Sequence, residues 1–264
     1  MSTRPLNKRT LLGYRRFCCT DCGKRFNERT ATPFNLLTVP TDIVLLVVRW
    51  RLRYKLSFRD LAEMFLERGF VFTHEAVRDW ESRFAPLITD VLRKRRRGLT
   101  GPSWYADETY VKVFSRWCYL YRAIDRDGNL VDCYLSETRD MQAARSFFRK
   151  ALNTTGQPPD RVTTDGHDSY PQAIREELGK SVLHRTNQYL NNLTEQSHRG
   201  IKQRYYPMRG FGQVASAERF CCAFEELQDF YRPVRKRGIP ISLSTRRRIY
   251  RQRTSLFTKL LMAA

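Results

Sequence analysis

The chain lacks any apolar run long enough to cross a membrane. Such a span needs roughly 18–20 uninterrupted apolar residues, and the sequence of 264 residues contains none. The opening stretch MSTRPLNKRT has no apolar signal core, so we expect a cytoplasmic protein. Cysteine is scarce and odd in number, seven residues in all, which fits a reducing compartment better than a disulfide framework.

Acidic residues are scarce at both ends of the chain. Residues 1–100 hold 21 Lys and Arg against 10 Asp and Glu, and residues 201–264 hold 14 against 4. Residues 101–200 hold 13 of each sign, so the whole net charge of +21 lies in the two flanks. A long basic surface is typical of binding to a phosphate backbone, and general solubility is the plainer alternative. We therefore expect a nucleic-acid partner and no membrane.

A helix-turn-helix pattern follows the N-terminal segment. Thr41 can cap a helix over TDIVLLVVRWRLRYK, and Ser57 caps a second helix. Residues 68–72 interrupt that helix, and Thr73 caps a third one, although an ordinary helical hairpin has the same pattern. The neighbouring basic run at 93–97 favours contact with DNA. The third helix would carry three candidate DNA-contacting residues, His74, Arg78 and Arg83.

After a GLTGP linker the apolar period changes from helical to alternating. The order βββαβαβα that results is that of an RNase H-like domain, an α/β fold with a mixed five-stranded sheet and flanking helices. The small all-α helix-turn-helix domain precedes it. The predicted strands are 104–113, 116–125, 129–137, 161–164 and 181–184, and the predicted helices are 141–152, 168–178 and two more from Leu193 and Ser216.

These patterns divide the chain into four parts. Residues 1–35 form a basic N-terminal segment with a partial Cys-x-x-Cys motif, and residues 41–97 form the helix-turn-helix domain. Residues 103–233 form the RNase H-like catalytic domain. Residues 234–264 form a basic tail, for which a helix and a disordered arm are equally compatible with the sequence.

Three carboxylates have an ordered placement on these elements. Asp107 lies inside the first predicted strand, where aspartate is costly unless it has a partner. Its neighbour Glu108 must face the other side of the sheet. Asp165 ends the fourth strand, where ligands of open α/β sheets collect, although Asp-Gly is also a routine turn. Glu195 opens a later helix, where a capping role is the alternative.

The helix that carries Glu195 also places cations beside it. Glu195, Arg199 and Lys202 follow one another at helical spacing, with His198 next to them. A carboxylate that holds a metal ion, next to cations that hold phosphates, is the arrangement that a phosphodiester site needs. Arg199, Lys202 and His198 are therefore further candidates for contact with DNA.

From Asp42 to about Pro233 the sequence resembles the DDE transposases of bacterial insertion sequences, specifically the IS-six family of the integrase superfamily. The resemblance rests on LLVVRWRLRYKLSFRDLAEMFLERG, WYADETYVKVFSRWCYLYRAIDRDGNLVD, TTDGHDSY and HRTNQYLNNLTEQSHRGIKQRYYPMRGF. It implies Asp107, Asp165 and Glu195 as the catalytic, metal-binding triad, and Lys202 as a DNA contact. It also implies replicative transposition that forms a cointegrate.

Phosphodiester chemistry at three carboxylates implies Mg²⁺ as the cofactor, with Mn²⁺ as a substitute. Some members of the family carry an N-terminal zinc module with two Cys-x-x-Cys pairs. A structural zinc wants four ligands, and Cys19 and Cys22 make up one pair, so we expect no zinc there. The expected partners are terminal inverted repeats and target DNA at the nucleoid, bound by a homodimer or larger synaptic assembly. Two alternatives stay open: a nuclease on the same fold and a DNA-binding regulator without strand transfer.

Overall fold

The computed structural model describes residues 2–186, 192–233 and 241–263, with backbone only for 192–197. Its first element is a small antiparallel sheet that the sequence pattern did not predict. The sheet comprises β1 (Thr3–Leu6), β2 (Arg16–Cys19) and β3 (Arg25–Asn27), in the order β1-β2-β3. Because these strands have at most four residues each, they carry too little alternation for a period to be recognised.

Three helices follow; the second and third start where their predicted caps Ser57 and Thr73 place them, whereas the first includes Thr41, its predicted cap, and has Pro40 at its N-cap without a side-chain hydrogen bond. They are α1 (Thr41–Arg53), α2 (Phe58–Leu66) and α3 (His74–Arg96). The Ser57 side chain accepts a hydrogen bond from the Asp60 amide, and the Asp60 side chain accepts one from the Ser57 amide, which completes a capping box. Thr73 caps α3 by accepting from the Ala76 amide. The predicted interruption at 68–72 is present, and α3 continues past Pro86 into the basic run.

The second sheet is five-stranded and mixed, as predicted. Its strands are β4 (Ser103–Val113), β5 (Arg116–Asp125), β6 (Leu130–Ser136), β7 (Arg161–Thr164) and β8 (Leu183–Thr186). The order is β6-β5-β4-β7-β8, with β4, β5 and β6 antiparallel and with β7 and β8 parallel to β4 and to each other. The last strand begins two residues later than its apolar pattern indicated. The first strand of this sheet, β4, is central, with the antiparallel strands β5 and β6 on one side and the parallel strands β7 and β8 on the other. This arrangement is the RNase H-like topology.

Helices cover both faces of this sheet. The later ones are α4 (Met141–Thr155), α5 (Ser169–Glu177), α6 (Asn192–Tyr205), α7 (Val214–Tyr231) and α8 (Leu243–Met262), with a 3-10 helix at Tyr206–Met208. The aromatic rings of Trp104 and Tyr121 pack with α4 and α5 on one face. The other face packs through Val111 and Leu120 into a core shared by α1, α2, α3, α7 and α8. The helix-turn-helix segment therefore shares a hydrophobic core with the sheet.

The C-terminal part of the chain is helical where the structure describes it. In α8, Phe257 and Leu261 are buried in the core that α3 and α7 also line. Among the described residues, no helix combines the length and the apolarity that a membrane crossing requires.

Candidate active site

Asp107 projects from the middle of the central strand β4 toward α6. One carboxylate oxygen accepts a hydrogen bond from the Glu108 amide at 2.9 Å, and the other lies 3.4 Å from the Nε2 atom of His198. The Asp107 side chain is 12% exposed. With one described contact on each oxygen, the Asp107 carboxylate keeps capacity to accept from a ligand.

Asp165 follows directly after β7, beside Asp107. The parallel register ends with Tyr105 paired to Thr163, and the same register continued by two residues would bring Asp107 level with Asp165. Neighbouring strands lie about 4.8 Å apart, so the two carboxylates start from adjacent backbone positions. Asp165 accepts a hydrogen bond from the His167 amide at 3.1 Å and lies 3.4 Å from a guanidinium nitrogen of Arg139.

Glu108 faces the opposite side of β4 from Asp107, as strand alternation predicts. The hydroxyl of Tyr170 donates a hydrogen bond to Glu108, and Arg139 forms an ion pair with it. Burial raises the pKa of the Glu108 carboxyl, and Tyr170 and Arg139 partly offset that rise. Glu108 therefore already has two protein partners, whereas the contacts of Asp107 with the part of the chain that the structure describes are a backbone amide and a neighbouring imidazole.

Arg139 was not among the residues that sequence analysis selected. It lies immediately before Asp140, which caps α4 by accepting from the Ala143 amide. From this position its guanidinium contacts both Glu108 and Asp165. A basic residue next to a helix cap is common at protein surfaces, so only the tertiary contacts identify it as part of the site.

The backbone of α6 brings Glu195 to the site region, and its side chain lies outside what the structure describes. Three residues later, His198 is buried and faces Asp107. Residues three apart share a helix face, so Glu195 starts from the same side of α6 as His198. Arg199 is exposed and Lys202 is half-buried on the same helix. His198 was expected to contact DNA, but the structure places it against a carboxylate.

The candidate DNA-contacting residues of α3 lie apart from the carboxylates. His74 and Arg78 both pair with Glu75, and Arg83 donates a hydrogen bond to the Asn35 carbonyl at 3.0 Å. Arg78 lines a groove of about 1,040 Å³ between α2, α3 and the segment that follows α6. Basic side chains of the opposite wall, including Arg204 and Arg219, line the same groove.

The basic run at the end of α3 divides into buried and exposed residues. Arg96 donates to both carboxylate oxygens of Glu226 on α7, and Arg93 donates to Asp132 on β6 at 2.6 Å. These two arginines stabilise the packing of α3 and are not available to DNA, contrary to the use of the run as a DNA signal. Lys94, Arg95 and Arg97 remain exposed.

The cysteines also divide into buried and exposed residues. Cys118, Cys133, Cys221 and Cys222 are buried in the core, as predicted from their strand and helix positions. In the N-terminal sheet Cys19 is buried and Cys22 is exposed. Hydrogen bonds to the Cys19 sulfur, chiefly from the Cys22 amide, lower the pKa of the Cys19 thiol.

The side chains that the structure describes include no group of three or more His, Cys, Asp and Glu residues arranged to hold a metal ion. The chemistry of Asp107 and Asp165 nevertheless fits such an ion, since both are carboxylates at the ends of the β4–β7 pairing, and each keeps acceptor capacity beyond its contacts with the described residues. Hard divalent cations prefer oxygen ligands of this kind. A third oxygen donor would have to come from α6.

The fold and the paired carboxylates define an RNase H-like domain of the type that carries the DDE motif. The family model described as "DDE domain" matches residues 101–261. A transposase for an insertion sequence-like element IS431mec of Staphylococcus aureus is 37% identical over 167 residues, covering 62% of this chain and 74% of that protein. The transposase of the element IS257 in transposon Tn4003, also from Staphylococcus aureus, is 36% identical over the same share. The chain therefore belongs to the DDE transposases of bacterial insertion sequences, in the IS-six family.

Solved structures that are similar in fold include two retroviral proteins. The HTLV-2 integrase catalytic core domain in complex with magnesium, in its dimeric form, is 19% identical with a TM-score of 0.40, covering 58% of this chain and 99% of that one. A simian T-cell lymphotropic virus intasome in complex with a PP2A regulatory subunit is 16% identical with a TM-score of 0.39, covering 59% and 56%.

Proposed function

We propose that this transposase cleaves the ends of an insertion sequence and joins the freed 3′-hydroxyl to target DNA at one site formed by Asp107, Asp165 and Glu195. The proposal is supported by the parallel register of β4 and β7, which runs toward Asp107 and Asp165, and by the 3.4 Å approach of His198 on α6 to Asp107. The ordered spacing of the three carboxylates in the sequence supports Glu195 as the third member.

Two divalent cations at these carboxylates, Mg²⁺ or in its place Mn²⁺, would stabilise the charge on the entering and leaving oxygens. Asp107 on the central strand, Asp165 and Glu195 would hold these ions. His198 lies beside Asp107 and would orient that carboxylate, which suits its burial better than a direct contact with DNA. Arg199 and Lys202 on α6 would bind the phosphates that flank the reacting bond.

The remaining parts of the chain suit the handling of DNA. We assign residues 41–97 to end recognition, with His74, Arg78 and Arg83 as contacts, and residues 103–233 to catalysis. The groove beside Arg78 contains cations from both segments, so a duplex could contact both. Joining one element to a target requires two ends at once, so we propose a homodimer or larger assembly that acts at the bacterial nucleoid and forms a cointegrate.

A joining assay tests the proposal. Purified protein, Mg²⁺ and labelled DNA that carries the element's ends should give nicked ends and then joined products. Asp107→Asn and Asp165→Asn should each lower the joining rate by about a thousandfold or more, since each removes metal-held charge worth several kcal/mol in the transition state. Asp127→Asn is the matched control, because Asp127 is an exposed turn residue of the same domain.

Each alternative function gives a different result in this assay. A nuclease would release cut DNA without joined products. A DNA-binding regulator would bind the ends with or without the carboxylates and would cut nothing. Undiminished joining by Asp107→Asn would contradict the assignment of the site.

A further inference from the structure

A surface cavity near the candidate active site is lined by aromatic side chains and one lysine. It encloses about 320 Å³ between the β4–β5 hairpin and the end of α6. Its lining residues are Tyr110, Trp117, Lys202, Tyr205 and Tyr206. Sequence analysis selected Lys202 alone, because the four aromatic residues lie almost a hundred positions apart in two groups.

Three of the four aromatic residues of this cavity, Tyr110, Trp117 and Tyr206, are exposed, and the fourth, Tyr205, is buried. Trp117 is 55% exposed, whereas Trp80 and Trp104 are buried in the two cores. Tyr110 is 47% exposed and meets the Trp117 ring edge to face, with 6.2 Å between ring centroids. Exposed apolar rings that gather around one concave surface mark a binding site rather than ordinary surface variation.

The cavity lies about 10 Å from the candidate site along each of two elements. Lys202 follows Glu195 by two helical turns, which is about 10 Å along α6. Tyr110 follows Asp107 by three residues, which is again about 10 Å along β4, and its side chain lies on the opposite face of that strand from Asp107. Successive phosphates of one strand of a duplex are about 3.4 Å apart along the axis, so this distance spans roughly three nucleotides.

We propose that this cavity binds one unpaired nucleobase of the DNA strand, about three nucleotides from the bond that the carboxylates cleave. The proposal rests on the proposed function. Aromatic faces stack on any base once it is out of the duplex, and Lys202 contacts the adjacent phosphate. The volume is near the lower limit of small-molecule pockets, about 300 Å³, which suits a single base and is too small for a base pair in its duplex.

The test compares single-stranded and duplex DNA in EDTA, so that no strand is cut. The probes are a fluorescent oligothymidine of about twenty nucleotides and a blunt duplex of the same length. The double variant Tyr110→Leu/Trp117→Leu keeps apolar side chains but removes two stacking faces. It should bind the oligothymidine about tenfold more weakly and the duplex within about twofold of the unmodified protein.

Two controls separate the cavity from the hairpin as a whole. Phe114→Leu changes an exposed aromatic at the tip of the same hairpin, outside the cavity, and should leave both affinities unchanged. Tyr110→Phe/Trp117→Phe keeps the rings and should restore binding of the oligothymidine. In the unmodified protein the oligothymidine should also quench tryptophan fluorescence, and Trp117→Phe should abolish most of that quenching, which tests the cavity even if the leucine variant fails to fold.

Equal weakening on both DNAs, no weakening at all, or the same loss in Phe114→Leu would overturn the inference. Failure of the proposed function gives a separate result, because the binding measurement does not need catalysis. Joining that persists in Asp107→Asn rejects the catalytic assignment alone. Unchanged oligothymidine binding in the leucine variant, with joining abolished in Asp107→Asn, rejects the nucleobase cavity alone.

Discussion

At the scale of single residues, the two adjacent acids of β4 have different environments. On the α6 side of the sheet the described contacts of Asp107 are the Glu108 amide and His198, and on the other side Glu108 is held by Tyr170 and Arg139. Arg139 also contacts Asp165, so one guanidinium connects the buried face to the candidate site. Glu108 thus positions Arg139, and Arg139 in turn neutralises part of the negative charge that Asp165 brings.

Replacing Arg139 tests this connection. In Arg139→Gln the buried Glu108 loses its cation, so we expect the free energy of unfolding to fall by about 1–3 kcal/mol, less than for a fully buried pair because Arg139 is 28% exposed. Urea denaturation measures the change. Arg149→Gln is the control, since Arg149 is 53% exposed and its partner Glu177 keeps Arg145 as a second cation. Equal stability of the two variants would show that Glu108 does not depend on Arg139.

At the scale of elements, β4 pairs with β7 only as far as Tyr105, and the chain that follows α6 covers the same edge of β4 near its end. The Phe211 amide donates to the Lys112 carbonyl at 3.0 Å, and the Phe114 amide donates to the Phe211 carbonyl at 2.7 Å. Gly210 makes this approach possible, because its φ is +105° and a Cβ atom there would lie 2.7 Å from the Lys112 oxygen. The same contact holds the end of α6 beside the aromatic cavity.

Gly210→Ala should therefore separate this segment from β4. We expect the free energy of unfolding to fall by about 2 kcal/mol or more, from the left-handed backbone and the contact with a carbonyl. Gly212→Ala, two residues away, has no atom within 4 Å of the added methyl group and should change stability little. Thermal or urea unfolding of both variants provides the comparison, and equal effects would contradict the role given to Gly210.

At the scale of the whole molecule, the basic charge and the aromatic cavity recognise different properties of DNA. The net charge of +21 favours any phosphate backbone, whereas the cavity favours unpaired bases. Some of that charge is internal, since Arg93 forms an ion pair with Asp132 and Arg96 forms one with Glu226. The number of cations that reach DNA is therefore smaller than the sequence total indicates.

Salt dependence measures that number. Between about 50 and 200 mM salt, duplex affinity should fall by about a thousandfold if six or so phosphates are contacted. Lys202→Gln should reduce the slope of log affinity against log salt by about one. Lys180→Gln is the control. Lys180 is exposed and precedes β8, whereas Asp165 follows the parallel strand β7, so the two residues lie at opposite ends of these strands and the slope should stay unchanged. A slope unaffected by Lys202→Gln would remove this residue from the DNA interface.

The sequence by itself determined the features that depend on neighbouring residues. Alternation along β4 placed Asp107 and Glu108 on opposite faces, and the Ser57 and Thr73 caps marked where α2 and α3 begin, because both signals arise within a few residues. The order of the predicted elements was enough to indicate the RNase H-like fold. The strands of the N-terminal sheet were too short to leave such a signal.

Only the tertiary structure decided which side chains meet across the chain. Arg96 and Glu226 are separated by 130 positions, so nothing local distinguishes that buried pair from an exposed basic run. Arg139 likewise contacts Glu108 and Asp165 from the start of α4, and the aromatic cavity combines two residues of the β4–β5 hairpin with three residues at the end of α6. Burial and partner choice depend on packing between distant elements, and a periodic pattern does not record that packing.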